Sequence, residues 1–194
     1  YYAFRDFMAE QGHGIPENYN PPVHWNELYD NPFWGEATKD FTKGVPIIND
    51  TVELRQHLYT LESMEEEAKK AQELGCEALY LDPGWDTMFG SSIWAAERLL
   101  PAEQFVKMMK TKYGLDVSLH TPLAGWPDFV GRNATYSEKA HKKAPQDFKG
   151  DMVIVDLCMA SPAYIKTKTE RLLELAKAGV VFFMFDGDAY WSPC

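Results

Sequence analysis

The residues best able to do chemistry gather at the ends of short apolar runs. The run Val-Val-Phe-Phe-Met-Phe at 180–185 ends in Asp186-Gly187-Asp188. A carboxylate at such a position is costly to desolvate unless it is paired or has a chemical task, which makes Asp186 and Asp188 site candidates. Two other readings compete. One aspartate could cap a following helix, or Asp-Gly-Asp together with Asp82 could collect a hard cation. Asp82-Pro83-Gly84-Trp85 follows another apolar run. There, Gly84 lets the backbone turn close to a ligand, and Trp85 offers a flat apolar face on which a sugar ring can stack. A plain turn with a core tryptophan is the alternative. Trp25, Trp34, Trp94, Trp126 and Trp191 also lie in or beside loops that follow apolar runs. That concentration suits carbohydrate binding, although each ring taken singly also fits ordinary packing. Asn26, within Trp25-Asn26-Glu27, and His120 complete the set of polar run ends. His120 also fits a role as a satisfied polar group. His13, His24, His57 and His141 form no HExxH spacing, and Gly90-Ser91-Ser92 lacks the G-x-S-x-G spacing of a nucleophile elbow.

These run ends need elements to hold them. Ser63 and Glu66 have capping-box spacing, and Leu61, Met64, Ala68, Ala71 and Leu74 mark one helical face, closed by Gly75. A strand over Ala78–Leu81 follows. Residues 101–112 predict a helix with Phe105, Met108 and Met109 inward, stopped by Gly114, before a strand over Asp116–His120. After a polar connection come an apolar β-branched run at 152–157 and a helix capped by Ser161 with Pro162 at its first position. Its expected buried face is Ile165, Leu172, Leu175 and Ala176, and Gly179 ends it ahead of the 180–185 run. Apolar strands alternating with helices predict an α/β protein with a parallel sheet covered on both faces. A doubly wound sheet would call for a Gly-rich phosphate turn after its first strand, and none is present. Polar and aromatic residues at every strand end instead favour a (β/α)8 TIM barrel, which keeps its site there. A full barrel needs roughly 250 residues. The expectation is therefore that 1–20 is a lead-in and 21–194 is the N-terminal half of a barrel, with about the first four βα units. The open edges of half a barrel would invite association between copies.

Composition narrows the partners. The net charge is −10, and the basic residues form no stripe, which argues against nucleic acid or an anionic membrane as partner. No run of about 18 apolar residues occurs, so no membrane span is expected. Cys76, Cys158 and Cys194 lie far apart with no CxxC spacing, which excludes a zinc ribbon and a disulfide framework.

Taken in order, the motifs resemble the α-galactosidase (melibiase) superfamily of retaining glycoside hydrolases, especially its bacterial members related to raffinose synthases. Pro21-Pro22-Val23-His24-Trp25-Asn26 is similar to the family's first strand, a Pro-Pro-Val run leading to an Asn. EEEAKKAQELGCEALYLDPGW is similar to its helix and second strand ending Asp-Asp-Gly-Trp. Leu100-Pro101, the helix to Lys112 and Tyr113-Gly114-Leu115 resemble the passage into its third strand. DLCMASPAYIKTKTERLLELAKAGVVFFMFDGD resembles its Leu-Asp-x-Ser-x-Pro helix and a strand ending Lys-x-Asp-x-Asn. The resemblance spans about 21–190. It implies a β-sandwich domain ahead of the barrel and a double displacement with net retention. By the same resemblance Asp186 would be the nucleophile, and Asp82 would hold sugar hydroxyls. Asn26, Trp85, Trp94, His120 and Asp188 join Asp82 as substrate-binding candidates. The general acid/base would be an Asp beyond residue 194, so the 194 residues alone are expected to be inactive. A retaining pair stands about 5 Å apart. No cofactor and no metal ion are implied; the partner is an oligosaccharide or glycoside.

The sequence departs from the family at three places in the sugar-reading shell. Pro83 stands where the second Asp would be, Met184 where a Lys precedes the nucleophile, and Asp188 where an Asn follows it. The expectation is hydrolysis of an α-linked hexose, with galactose not specified. The alternatives are a non-catalytic carbohydrate-binding barrel and a metal-dependent transferase or lyase.

Overall fold

The computed structural model describes residues 2–39, 51–87, 90–122 and 162–186. In chain order they form α1 (Tyr2–Met8) with a π-turn (Ala9–His13), β1 (His24–Asn26), a 3-10 turn (Glu27–Tyr29), α2 (Phe33–Thr38), α3 (Val52–Leu58) and α4 (Leu61–Glu73). Then come β2 (Ala78–Leu81), α5 (Ala96–Leu99), α6 (Ala102–Met108) with a π-turn (Met109–Tyr113), β3 (Asp116–His120), α7 (Pro162–Lys177) and β4 (Phe182–Met184). The run at 152–157, Ser161, Asp188, Trp126 and Trp191 lie outside the described residues.

The four strands make one parallel sheet in the order β1-β2-β3-β4. Parallel neighbours in chain order, joined by right-handed crossovers, must carry their helices on one face. That face holds the core. Leu79, Leu81, Val117 and Leu119 of the sheet are buried against Met64, Ala68 and Ala71 of α4, Phe105 of α6, Met109 of the following π-turn and Leu175 of α7. Trp25 and Phe183 join them, half-buried.

The opposite face is mixed, carrying Ala78, Phe182 and Met184 beside a set of polar side chains. Side chains alternate along a strand, so His24, Asn26, Tyr80, Asp82, Ser118 and His120 share the inner face. None of them belongs to the helix-side core. Within the 180–185 run, β4 (Phe182–Met184) is half-buried, Val180 is buried, and Val181 and Phe185 are exposed.

Two helices differ from expectation in detail. The capping box of α4 is Thr60 with Ser63, not Ser63 with Glu66. Ser63 N–H donates to Thr60 Oγ1 at 3.2 Å, and Thr60 N–H to Ser63 Oγ at 2.9 Å. Starting the helix at Leu61 leaves Leu74 at the C-cap, exposed rather than inward. On α7 the inward stripe is Lys168, Leu172 and Leu175, whereas Ile165 is 50 % exposed and Ala176 is exposed. Among the described residues no helix is long and apolar enough to cross a membrane.

Candidate active site

The sequence places acidic or polar residues at the C-terminal ends of all four strands, and the sheet brings four of them together. Asp82 follows β2, His120 closes β3 and Asp186 lies two residues past β4. The His120 ring is 3 % exposed and stands between the two carboxylates. Its Nε2 is 3.3 Å from Asp186 Oδ2, within hydrogen-bond reach, and its Nδ1 is 3.9 Å from Asp82 Oδ1. From β1, Asn26 Nδ2 donates to Asp82 Oδ2 at 2.8 Å. The Asn26 amide is fixed from its other end, because its Oδ1 accepts from Leu28 N–H at 2.9 Å and caps the 3-10 turn. The ends of β3 and β4 are tied as well, since Thr121 N–H donates to the Met184 carbonyl at 2.8 Å.

The two carboxylates differ in environment. Asp82 is buried, and desolvation pushes its pKa up, aided by the nearby Asp186 and opposed by His120 and the Asn26 hydrogen bond. The Asp186 side chain is 43 % exposed. The buried, donor-held carboxylate suits accepting hydroxyl groups, and the open one suits attack on a bound molecule.

The loop after β2 is locked in place. Arg55 Nη1 donates to the Gly84 carbonyl at 3.0 Å and to the Asp86 carbonyl, and pairs with Asp86 Oδ1 at 3.4 Å with both side chains buried. Arg98 Nη2 donates to the Gly84 carbonyl at 2.7 Å, and its Nη1 to the Tyr59 carbonyl. Gly84 is needed here for a close backbone approach. Its φ is +135°, and a Cβ would lie 2.3 Å from Tyr59 Cδ2. The close approach is to the Tyr59 ring.

Trp85, Trp94 and Trp25 are placed away from the Asp82–His120–Asp186 cluster or beneath it. Trp85 is 1 % exposed, and its Nε1 donates to the His120 carbonyl at 2.8 Å. It braces His120 and presents no free face for stacking. Trp94 packs on Trp85 and Phe105, with ring centroids 5.9 and 5.2 Å away, and opens into a groove beside Ala102, Arg171 and Leu175 on the helix side. Trp25 points to the same side, where its Nε1 donates to Glu67 Oε2 of α4 at 2.9 Å.

Three contributors escape a reading of motifs. Glu27 is 2 % exposed; its Oε1 accepts from Asp82 N–H at 2.8 Å and from Tyr59 Oη at 2.9 Å. Burial, chiefly, drives its pKa up to about 8, so this carboxyl holds its proton at neutral pH. Tyr80 lies on the inner face with Asp82, a position that the alternation Ala78, Tyr80, Asp82 could have revealed. Lys168 is buried on α7; its Nζ reaches Ser92 Oγ at 2.7 Å and the Pro122 carbonyl at 2.8 Å, linking the loops after β2 and β3. Nothing in the sequence signals that contact. Among the described residues no group of three or more His, Cys, Asp and Glu is arranged to hold a metal ion.

No protein-family model matches the chain, and no curated protein matches it.

Proposed function

We propose that the chain belongs to a (β/α)8-barrel glycoside hydrolase that cleaves an α-linked hexose, with Asp186 as nucleophile and net retention. The observation that carries this reading is the convergence of Asp82, His120 and Asp186 from the ends of three successive parallel strands. Strands in chain order with α4, α6 and α7 on one face are what a barrel requires. A polar inner face leading to two carboxylates fits a neutral, hydroxyl-rich ligand. In this reading Asp186 attacks the anomeric carbon and Asp82, oriented by Asn26, holds ring hydroxyls. His120 keeps the two carboxylates apart by interposing a hydrogen-bonding ring. The partner is an oligosaccharide or glycoside.

The test is Asp186→Asn in the complete protein. Shape is kept but the attacking charge is lost, so turnover of an aryl α-glycoside should fall by at least about a thousandfold. Azide should then restore part of the rate and give the inverted β-glycosyl azide, since only one displacement occurs. Near-normal turnover by the variant would rule Asp186 out as nucleophile.

A further inference from the structure

We propose that the Tyr80 hydroxyl is a substrate contact, forming the floor of the site and hydrogen-bonding a ring hydroxyl of a bound neutral sugar. The proposal rests on reading the site as a carbohydrate site and adds a specificity residue to it. Strand register sets Tyr80 level with Asn26 on β1 and Ser118 on β3, one step below Asp82 and His120 on the same face. Tyr80 is 5 % exposed, and its buried Oη has no hydrogen-bond partner among the described residues.

The neighbouring polar groups are committed elsewhere. Ser118 Oγ is 2.8 Å from His24 Nε2, and Asn26 spans Leu28 and Asp82. The His24 ring meets Tyr80 edge-on at 5.8 Å, which packs the phenol without using its hydroxyl. Burial raises the Tyr80 pKa, and both Asp82 and Asp186 raise it further, so the hydroxyl stays protonated and close enough to feel the two carboxylates. A buried donor with no acceptor is a net cost to the fold, and such groups concentrate where a ligand supplies the missing partner.

The chemistry of that partner follows from its surroundings. It must accept from Tyr80 and donate onward to a carboxylate. A hydroxyl does both. An anion would be repelled by Asp82 and Asp186, and an apolar ligand would leave Tyr80 unpaired. A neutral polyhydroxylated ring meets the requirement.

The experiment is Tyr80→Phe, with Asp82→Asn as a companion. Thermal midpoints are measured without ligand, and binding of galactose and of glucose is measured by calorimetry. Because the hydroxyl has no hydrogen-bond partner among the described residues, Tyr80→Phe should match or exceed the wild-type midpoint. It should also weaken binding of the preferred sugar by roughly tenfold or more. A lowered midpoint would mean that the hydroxyl serves the fold, and the proposal would be wrong. Unchanged affinity in Tyr80→Phe, alongside weakened binding in Asp82→Asn, would overturn the Tyr80 contact and leave the carbohydrate site standing. If the wild-type protein binds neither sugar, the carbohydrate reading fails and the Tyr80 contact with it.

Discussion

Two carboxyl groups beside one another, Glu27 and Asp82, carry opposite burdens. Asp82 is a hydroxyl acceptor in the proposed reaction, while Glu27 is buried between the Asp82 amide and the Tyr59 hydroxyl. An ionised Glu27 there would have to be desolvated next to Asp82 and Glu67, so the fold favours its neutral form. Its pKa rises from 4.5 to about 8 on folding. The raised acid contributes fully below pH 4.5, its contribution falls as pH increases, and the loss is complete above about 8. The expected outcome is that Glu27→Gln keeps the oxygen acceptor and removes the titration. Denaturant unfolding from pH 4.5 to 8 should show the variant gaining on wild type as pH rises, by a few kcal/mol at the alkaline end. A constant difference across that range would show that Glu27 does not change its proton binding on folding. Residues of this kind were not legible in the sequence. Asp82, His120 and Asp186 announce themselves by ending apolar runs. Glu27, Arg55 and Arg98 act through contacts to Asp82, Gly84 and Asp86 that no local spacing encodes. The tryptophans are legible only in part: an aromatic ring beside a strand end fits a sugar platform and a packed core equally well, and here Trp85 is buried in the core while Trp94 is half-buried against it.

At the scale of elements, local signals served where local physics decides. The bounds of β2 and β3 agree with the sequence, because Gly75 and Gly114 stop the preceding helices with positive φ of 73° and 74°. Pro162 opens α7, as expected of a residue with no N–H to donate. Periodicity mis-set the rotation of α7, because it placed the buried face on Ile165 and Ala176 and could not foresee a lysine turned inward. The ammonium of Lys168 is buried since three oxygens from two loops receive it. The α4 cap was displaced by one turn because Thr60 and Ser63 form as good a box as Ser63 and Glu66 on paper. Substitution separates the two. Thr60→Ala should cost about 1 kcal/mol in equilibrium unfolding through loss of the Ser63 N–H acceptor. Glu66→Ala removes only an exposed pair with Lys69 and should stay within about 0.5 kcal/mol. Equal costs for the two changes would return the cap to Ser63.

The shape of the whole molecule decides whether the inner face is a barrel lumen or the open side of a sheet. His24, Tyr80, Ser118 and His120 on one face would be poor packing partners for a second helical layer, which a doubly wound sheet places there. A barrel uses such a face for the walls and floor of a site. The two readings differ at β1 and β4, which among the described residues pair on one side only, with β2 and β3. In a closed barrel both strands gain a second neighbour, and every backbone N–H has a partner. In an open sheet the outward N–H groups of His24–Asn26 or Phe182–Met184 face water or side chains. Hydrogen exchange reads this directly. Barrel closure predicts that amides of β1 and β4 on the sides away from β2 and β3 exchange as slowly as the interior amides Leu79 and Val117. Fast exchange confined to those outward amides, with β2 and β3 fully protected, would mark a permanent edge. The convergence of Asp82, His120 and Asp186 would then belong to the rim of an open sheet, and a retaining barrel glycosidase would no longer be its natural reading.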